Sequence, residues 1–152
     1  MKKLLIILCV MLSAALLAAC GANGMDVSDL EKSPYDAADQ SKDVNIKMED
    51  ASIAMGTDTL NLHFENSGDT EYSFGMEPHL DIEVNGVWYV VPTVEDAAWI
   101  EIAYILPANG TADLEFPLNT FYGSLPAGQY RIVKPMYTAA GNTFAIAEFT
   151  IE

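Results

Sequence analysis

The sequence has few cysteines, and neither lies in the part that we expect to fold. Cys9 and Cys20 are the two cysteines of the 152-residue chain, and Cys9 sits inside an apolar N-terminal run. Once that run is removed, Cys20 is the one remaining thiol, so no intrachain disulfide can form even in an oxidising compartment. A hydrophobic core must therefore stabilise the domain, and about 110 residues are enough to build one.

Basic residues are also scarce. Seven Lys or Arg stand against 22 Asp or Glu, which gives a formal net charge of −15. Such a surface repels phosphate backbones and anionic lipid headgroups. The composition therefore argues against nucleic-acid binding and against a protein surface that lies flat on the membrane.

Sequence motifs for catalysis are missing. The chain contains no G-x-S-x-G elbow, Walker loop, Rossmann glycine pattern or C-x-x-C pair, and it has two histidines. A catalytic carboxylate pair needs a defined separation, and no spacing among the acids selects one. We therefore predict no enzyme activity, no catalytic residue and no cofactor.

One long hydrophobic run is present, and it lies at the N-terminus. Two lysines precede an apolar stretch over residues 4–19, which is shorter than the roughly 20 residues of a membrane-spanning helix. This pattern is typical of a signal peptide over residues 1–19. The stretch ends in Leu-Ala-Ala-Cys-Gly at residues 17–21, which resembles the lipobox of bacterial lipoproteins.

The lipobox resemblance implies that lipid is attached to the sulfur of Cys20 and that the chain is cleaved before this residue. The acyl chains would then hold the protein on the extracytoplasmic face of the cell membrane. An uncleaved anchor and an ordinary signal peptide remain alternatives.

Residues 20–43 are acidic and contain few large apolar side chains. A segment of this composition cannot bury enough surface to offset the entropy lost on ordering. We therefore predict a flexible acidic tether over residues 20–43 and a folded domain over residues 44–152.

From residue 44 onward the apolar residues recur mainly with period two. Leu60, Leu62 and Phe64 alternate with polar residues, and so do Leu80, Ile82 and Val84. This alternation predicts strands with one buried and one solvated face. Further candidate strands cover residues 44–55, 72–76, 87–91, 112–116, 129–134 and 144–151, with turn residues between them. Seven to eight short strands predict an all-β, antiparallel Greek-key sandwich.

Three local patterns refine this prediction. Asn85-Gly86 separates two strands and tolerates the positive φ angles of a type I′ turn, which predicts a β-hairpin. Residues 93–104 are ambiguous between a helical turn and a strand. Phe144 and Ile146 alternate out of phase with the apolar residues that follow them, which a bulge near Ala147 would explain.

Leu125, Gly128 and Tyr130 have the spacing of a tyrosine corner. In that motif a Tyr at the start of a strand hydrogen-bonds through its hydroxyl to backbone a few residues upstream. Gly128 would allow the sharp turn and Tyr130 would fix it. The alternative is a loop followed by an ordinary buried tyrosine.

Four blocks of residues 44–152 form a recognisable set. They are Thr-Leu-Asn-Leu at residues 59–62 with Glu-Asn-Ser at 65–67, Tyr-Ser-Phe-Gly at 72–75, Asn-Gly-Val-Trp-Tyr-Val-Val-Pro at 85–92, and Gly-Gln-Tyr-Arg-Ile-Val-Lys at 128–134. These blocks resemble those of bacterial immunoglobulin-like domains, which occur in lipoproteins and surface proteins of Gram-positive bacteria. The resemblance implies an immunoglobulin-like sandwich without the inter-sheet disulfide. It implies no catalytic residues and does not by itself establish a function.

Metal binding by polar residues on the strands is an alternative function. His63 and Glu65 share one strand face, and His79, Asp81 and Glu83 share another, so pairing in the right register could bring nitrogen and oxygen ligands together. The simpler interpretation is that they fill the solvated faces of half-buried strands. We therefore predict no metal site.

Exposed aromatic residues are the candidates for partner contact. Trp88 and Tyr89 are adjacent in a strand and must point to opposite faces, so the outward one is a candidate, and Trp99 is another. Arg131 should point away from Tyr130, towards solvent, and pair with nearby acids.

The favoured function is a lipid-anchored, non-catalytic module that binds a protein or envelope partner. Two alternatives remain open at this stage. One is inhibition of an extracellular protease by the segment 116–126, and the other is a structural role beside another surface protein.

Overall fold

The computed structural model describes residues 25–152, which form two β-sheets packed as a sandwich. The predicted signal peptide and Cys20 lie outside these residues. Among residues 25–152, no helix is long and apolar enough to cross a membrane. The elements are a 3₁₀ turn at Ala37–Asp39, the strands β1 Val44–Met48, β2 Ser52–Ile53, β3 Leu60–Asn66, β4 Tyr72–Phe74, β5 Leu80–Val84, β6 Val87–Val90, β7 Tyr104–Leu106, β8 Thr111–Phe116, β9 Gly128–Thr138 and β10 Gly141–Ile151, and the helix α1 Leu118–Tyr122.

The smaller sheet has the order β1-β3-β8, and all its pairings are antiparallel. The larger sheet is built around β9, which pairs with β10 along its whole length. On its other edge β9 pairs with β5 near its start and with β4 near its end. β6 extends the sheet beyond β5, β7 extends it beyond β4, and β2 adds in parallel to β10.

The predicted all-β sandwich is confirmed, although ten strands are present rather than seven or eight. One reason is that the predicted strand over residues 44–55 is divided at residues 49–51. Its first part, β1, joins the smaller sheet, and its second part, β2, joins the larger sheet.

The core lies between the two sheets and is filled by the apolar residues of the alternating strands. Leu60, Leu62 and Phe64 of β3 are all buried, and the Phe64 ring stacks on that of Phe74 at 4.4 Å between centroids. These residues face the larger sheet because period-two alternation places them on one side of β3.

The Asn-Gly turn has the predicted geometry. Asn85 and Gly86 have φ angles of 53° and 77°, and they connect β5 to β6 as an antiparallel hairpin. Positive φ at both positions is the requirement of a type I′ turn, so this prediction is confirmed.

The prediction of a bulge near Ala147 is wrong. β10 pairs with β9 in one unbroken register from Gly141 to Ile151. Ala145, Ala147, Phe149 and Ile151 face the core, whereas Phe144 lies on the opposite face, where it contacts the ring of Tyr35. The two phases of apolar residues therefore reflect burial on both faces of β10.

The ambiguous segment over residues 93–104 contains no helix. It is a loop that leads into β7. Within it, the Ala97 amide donates to the Val94 carbonyl at 3.0 Å and closes a turn, while the Val94 amide donates to the Phe121 carbonyl at 2.8 Å. The loop is thereby attached to α1.

A short N-terminal segment, residues 31–35, packs against the larger sheet; we call it the N-terminal strap. The Val90 amide donates to the Glu31 carbonyl at 2.8 Å, and the Ser33 amide donates to the Trp88 carbonyl at 2.9 Å. The strap therefore pairs with the outer edge of β6. The Tyr35 ring lies edge-on against the rings of His79 and Phe144, at 4.6 Å and 4.8 Å between centroids.

Within the described residues 25–43, the structure differs from the prediction of a flexible tether over residues 20–43, because residues 31–35 are held on the sheet. Composition suggested that this segment could not bury enough apolar surface to become ordered. The strap instead gains backbone hydrogen bonds from a strand edge and packs one aromatic ring, and neither contribution is visible in average composition.

Arg131 lies beneath the strap and is buried, so the prediction that it points to solvent is wrong. Its Nε donates to Asp81 Oδ2 at 2.8 Å, and its Nη2 donates to the Tyr35 carbonyl at 2.7 Å. The guanidinium also lies 4.5 Å from the centre of the Trp88 ring. Arg131 does point away from Tyr130, but the strap covers that face.

Asp81 is completely buried beside Arg131. Burial alone would raise the pKa of its carboxyl group, but hydrogen bonds from His79, Ser33 and Arg131 hold this pKa below its usual value. The charged form is therefore the one that the folded protein favours.

The Tyr130 hydroxyl donates to the Pro126 carbonyl at 2.8 Å, which is the hydrogen bond that a tyrosine corner requires. Leu125 is buried beside it, and burial raises the pKa of Tyr130 to about 12. Gly128 begins β9 but is not among the glycines with positive φ, so the turn does not depend on a left-handed conformation there.

We expect Asp81→Asn to lower the free energy of unfolding by about 3 kcal/mol at neutral pH, because it leaves a buried guanidinium without its counter-charge. Denaturant unfolding measures this change. Glu83→Gln is the control on the same strand, and its effect should stay below about 0.5 kcal/mol.

Since the pKa of Asp81 is lowered by folding, its stabilising contribution is present above the unfolded pKa of 3.8 and is lost as the pH falls below it. The gap between wild type and Asp81→Asn should therefore narrow in acid; a gap that is constant from pH 7 to pH 2 would contradict this assignment.

Tyr130→Phe should destabilise the domain by about 1–2 kcal/mol, because it removes a buried hydrogen bond and leaves the Pro126 carbonyl without its donor. Tyr72→Phe serves as the matched control, since Tyr72 is also buried but no hydrogen bond of its hydroxyl is found in the described residues. Equal losses for the two variants in thermal and denaturant unfolding would show that the corner hydrogen bond contributes nothing.

Candidate functional site: an apolar groove around Trp99

Exposed apolar side chains gather at one end of the larger sheet. Trp99 is 43% exposed, Ile100 66%, Ile102 43% and Tyr137 39%. With residues 73–77, these side chains line a groove of about 450 Å³, which we call the Trp99 groove. Apolar patches of this kind on a soluble domain commonly mark a binding surface.

Strands β4, β7 and β9 form the sheet surface next to this groove. Ile105 of β7 lies opposite Ser73 of β4, and Ser73 lies opposite Tyr137 of β9, so the three side chains form a row on the outer face of the sheet. Ile105 is 51% exposed and extends the apolar surface beyond the groove.

The loop before β7 supplies the other wall. Trp99 packs edge-on against the buried ring of Phe121 in α1, with 6.4 Å between the ring centroids. Together with the hydrogen bond between Val94 and Phe121, this contact holds the loop on the body of the domain. The wall is thus attached to the core at two points.

Acidic side chains flank the apolar lining. Glu77 and Glu101 are both exposed, and no Lys or Arg lines the groove. The Tyr137 hydroxyl lies 3.5 Å from Glu77 Oε2, and partial burial together with this carboxylate raises the pKa of Tyr137. The groove is therefore apolar in its centre and negatively charged at its margin.

A buried lysine fixes the position of Glu77. Lys134 is fully buried, and its Nζ donates to the Glu77 carbonyl at 2.7 Å. Burial lowers the pKa of Lys134 to about 8, and the nearby Glu77 carboxylate acts in the opposite direction. The ammonium group ties the connection between β4 and β5 to β9.

The three aromatic residues that the sequence offered for partner contact lie in different places. Trp88 points to the outer face but lies over Arg131, where it is half-buried, and the strap occupies the neighbouring strand edge. Tyr89 packs against the core. Trp99 is the member of this set that lies in the exposed groove, and its contact with a partner stays a prediction. Cys20 lies outside the described residues.

The polar residues considered as metal ligands do not come together. His63 and Glu65 lie on the smaller sheet, whereas His79 and Asp81 lie on the larger sheet. No group of three metal-ligating side chains is found within residues 25–152.

A second depression, of about 470 Å³, lies on the outer face of the smaller sheet. Lys47 and His63 of its lining are already engaged within the sheet: His63 Nδ1 lies 2.6 Å from Asp113 Oδ1, and Lys47 Nζ donates to Glu65 Oε1 at 2.7 Å. These pairs need no outside partner, so the Trp99 groove is the better candidate.

Segment 116–126, which the sequence suggested as an inhibitory loop, is not an extended loop, although Asn119, Thr120 and Ser124 are exposed. It contains the helix α1, whose Leu118, Phe121 and Tyr122 are buried. An extended, exposed loop is what a protease active site would need, and the packing of this helix argues against that role.

The sequence interpretation missed most of the groove. Ile100, Ile102, Ile105, Tyr137 and the flanking acids were not selected as site residues. One usable signal was present: residues 99–106 are rich in isoleucine in a segment too irregular for a fully buried strand. The position of Tyr137 could not be found this way, because it depends on where the strap ends.

Comparison with known proteins adds the family. The model of the bacterial Ig-like domain family matches residues 40–150. Among solved structures, the ASH/PapD-like domain 7 of human CEP192 matches with 20% sequence identity and a TM-score of 0.37, covering 84% of this chain and 93% of that one. None of the curated proteins compared with the chain matches it.

The family match covers the two sheets from the residues before β1 almost to the end of β10. It agrees with the resemblance inferred from the sequence blocks and with the two-sheet sandwich of the described residues. The chain belongs to the bacterial Ig-like domain family.

Proposed function

We propose that the protein is a lipid-anchored, non-catalytic binding module that engages a partner protein on the extracytoplasmic side of the cell membrane. The observation that carries this proposal is the Trp99 groove. Folding of an Ig-like sandwich does not require a Trp and two Ile side chains to stay about half exposed on one wall of a groove.

The structure of the groove suits recognition better than chemistry. Its lining offers apolar and aromatic surface with two carboxylates at the margin, and neither His63 nor His79 reaches it. Aromatic side chains surrounded by polar residues are typical of the centre of a protein–protein interface.

The anchor rests on the lipobox-like sequence that ends at Cys20. Few residues separate Cys20 from Met25, whose side chain already packs against the core. Five residues of extended chain reach at most about 18 Å, so an acylated Cys20 would hold the domain near the bilayer surface.

Expression of the full chain in a bacterium with lipoprotein processing tests the anchor. We expect intact-mass spectrometry to show a mature protein that begins at Cys20 and carries acyl chains, and the Cys20→Ala variant to carry none and to leave the membrane fraction. A wild-type product that retains residues 1–19, or that lacks lipid, would reject the anchored form of the proposal.

Replacement of Trp99 and Ile102 tests the binding surface. We expect the Trp99→Ala/Ile102→Ser variant to lose partner capture from envelope extracts by about tenfold or more, because truncating central interface residues commonly costs 2 kcal/mol or more. Met55→Ala is the control, since Met55 is 59% exposed and lies outside the groove. Circular dichroism must show unchanged folding; equal capture by both variants would place the binding surface elsewhere.

A further inference from the structure

The Trp99 groove also constrains the chemistry of its partner. We propose that the groove binds an extended segment of another protein that carries both apolar and basic side chains. This inference rests on the proposed function. The segment lies along β7, with apolar side chains against Trp99 and Ile102 and basic side chains on Glu77 and Glu101.

The distribution of charge supports a basic partner. Five Lys or Arg occur in residues 25–152, and two of them, Arg131 and Lys134, are buried. The exposed ones are Lys32, Lys42 and Lys47, and none of them lines the groove. The buried Lys134 ammonium lies at the Glu77 carbonyl, but no exposed basic side chain of the described residues lines the groove, so a partner is the available source of exposed positive charge at its margin.

The end of the larger sheet supports an extended conformation. β7 is the last strand beyond β4 and pairs with β4 alone. Apart from this pairing, no backbone hydrogen bond of the described residues involves residues 103–106. A strand edge with unpaired backbone groups can accept a further strand, and Ile102 and Ile105 supply apolar contacts beside it.

The outer edge of β6, on the same side of β9, provides a contrast. The strap already occupies the outer edge of β6 through hydrogen bonds at Trp88 and Val90. The domain thus covers one strand edge with its own chain and leaves β7 without such a cover in the described residues. The difference favours β7 as the edge that receives a second polypeptide.

A second copy of the chain or a lipid surface fits less well. Two copies joined at the groove would bring Glu77 and Glu101 of each chain together at a formal net charge of −15 per chain, without a counter-charge from the groove. Anionic headgroups would meet the same repulsion.

Synthetic peptides test the proposal on the purified domain, which is used as the full chain without its leader. The first probe is a ten-residue peptide that alternates lysine and valine, and the second alternates glutamate and valine. We expect the first alone to bind, to protect the amides of residues 103–106 from hydrogen exchange, and to change the fluorescence of Trp99 in a Trp88→Phe background.

Replacing acidic residues distinguishes attraction of the lysine peptide to the groove from its attraction to the overall negative charge of the domain. Glu77→Gln/Glu101→Gln should weaken binding of the lysine peptide at least fivefold. Glu49→Gln/Asp50→Asn removes the same charge from the exposed loop between β1 and β2, which lines no part of the groove, and should change binding less than twofold.

Four results would overturn the inference. They are equal binding of the two peptides, equal weakening by the two double variants, exchange protection confined to other strands, and a Trp99 response to vesicles or to protein concentration in place of the peptide. If partner capture still depends on Trp99 and Ile102 while the two glutamates prove irrelevant, the proposed function stands and the inference about the partner fails.

Discussion

Burial of the first half of β9 on both of its faces is the constraint that organises this domain. Its inner face contributes Tyr130 and Ile132 to the core, and its outer face buries Arg131 and Val133. A buried guanidinium is tolerable only with a counter-charge and filled donor positions. Asp81, Ser33 and the Tyr35 carbonyl provide these, so the ion pair and the strap require each other.

This arrangement also determines which part of the outer face of the sheet is exposed. Arg131 and Tyr137 point to the same side of β9, yet one is 1% exposed and the other 39%. The strap lies over the first, and Tyr35 is its last residue before the 3₁₀ turn. After Tyr35 the chain continues across β10, where the Ser41 amide donates to the Phe144 carbonyl at 2.8 Å, and it leaves Tyr137 exposed in the Trp99 groove. The groove is therefore a consequence of the length and path of the N-terminal segment.

Local sequence rules predicted the elements whose causes are local. Period-two alternation identified β3 and β5, the Asn-Gly pair identified the hairpin, and the spacing before Tyr130 anticipated its hydrogen bond to Pro126. Each of these depends on residues within a few positions of one another.

The wrong predictions share a different cause, which is contact between distant parts of the chain. Arg131 was assigned to solvent, a bulge near Ala147 was invoked to explain Phe144, and residues 31–35 fell within the predicted flexible tether over residues 20–43. One long-range contact, the strap on the outer face of the larger sheet, corrects all three. Alternation predicts which residues share a face, but it does not tell whether a contact from a distant segment covers that face.

The groove could not be predicted for the same reason, since Tyr137, Ile105 and Trp99 come from separate elements. Their meeting depends on the order of strands β9-β4-β7, which follows from packing of the whole domain and not from any one segment.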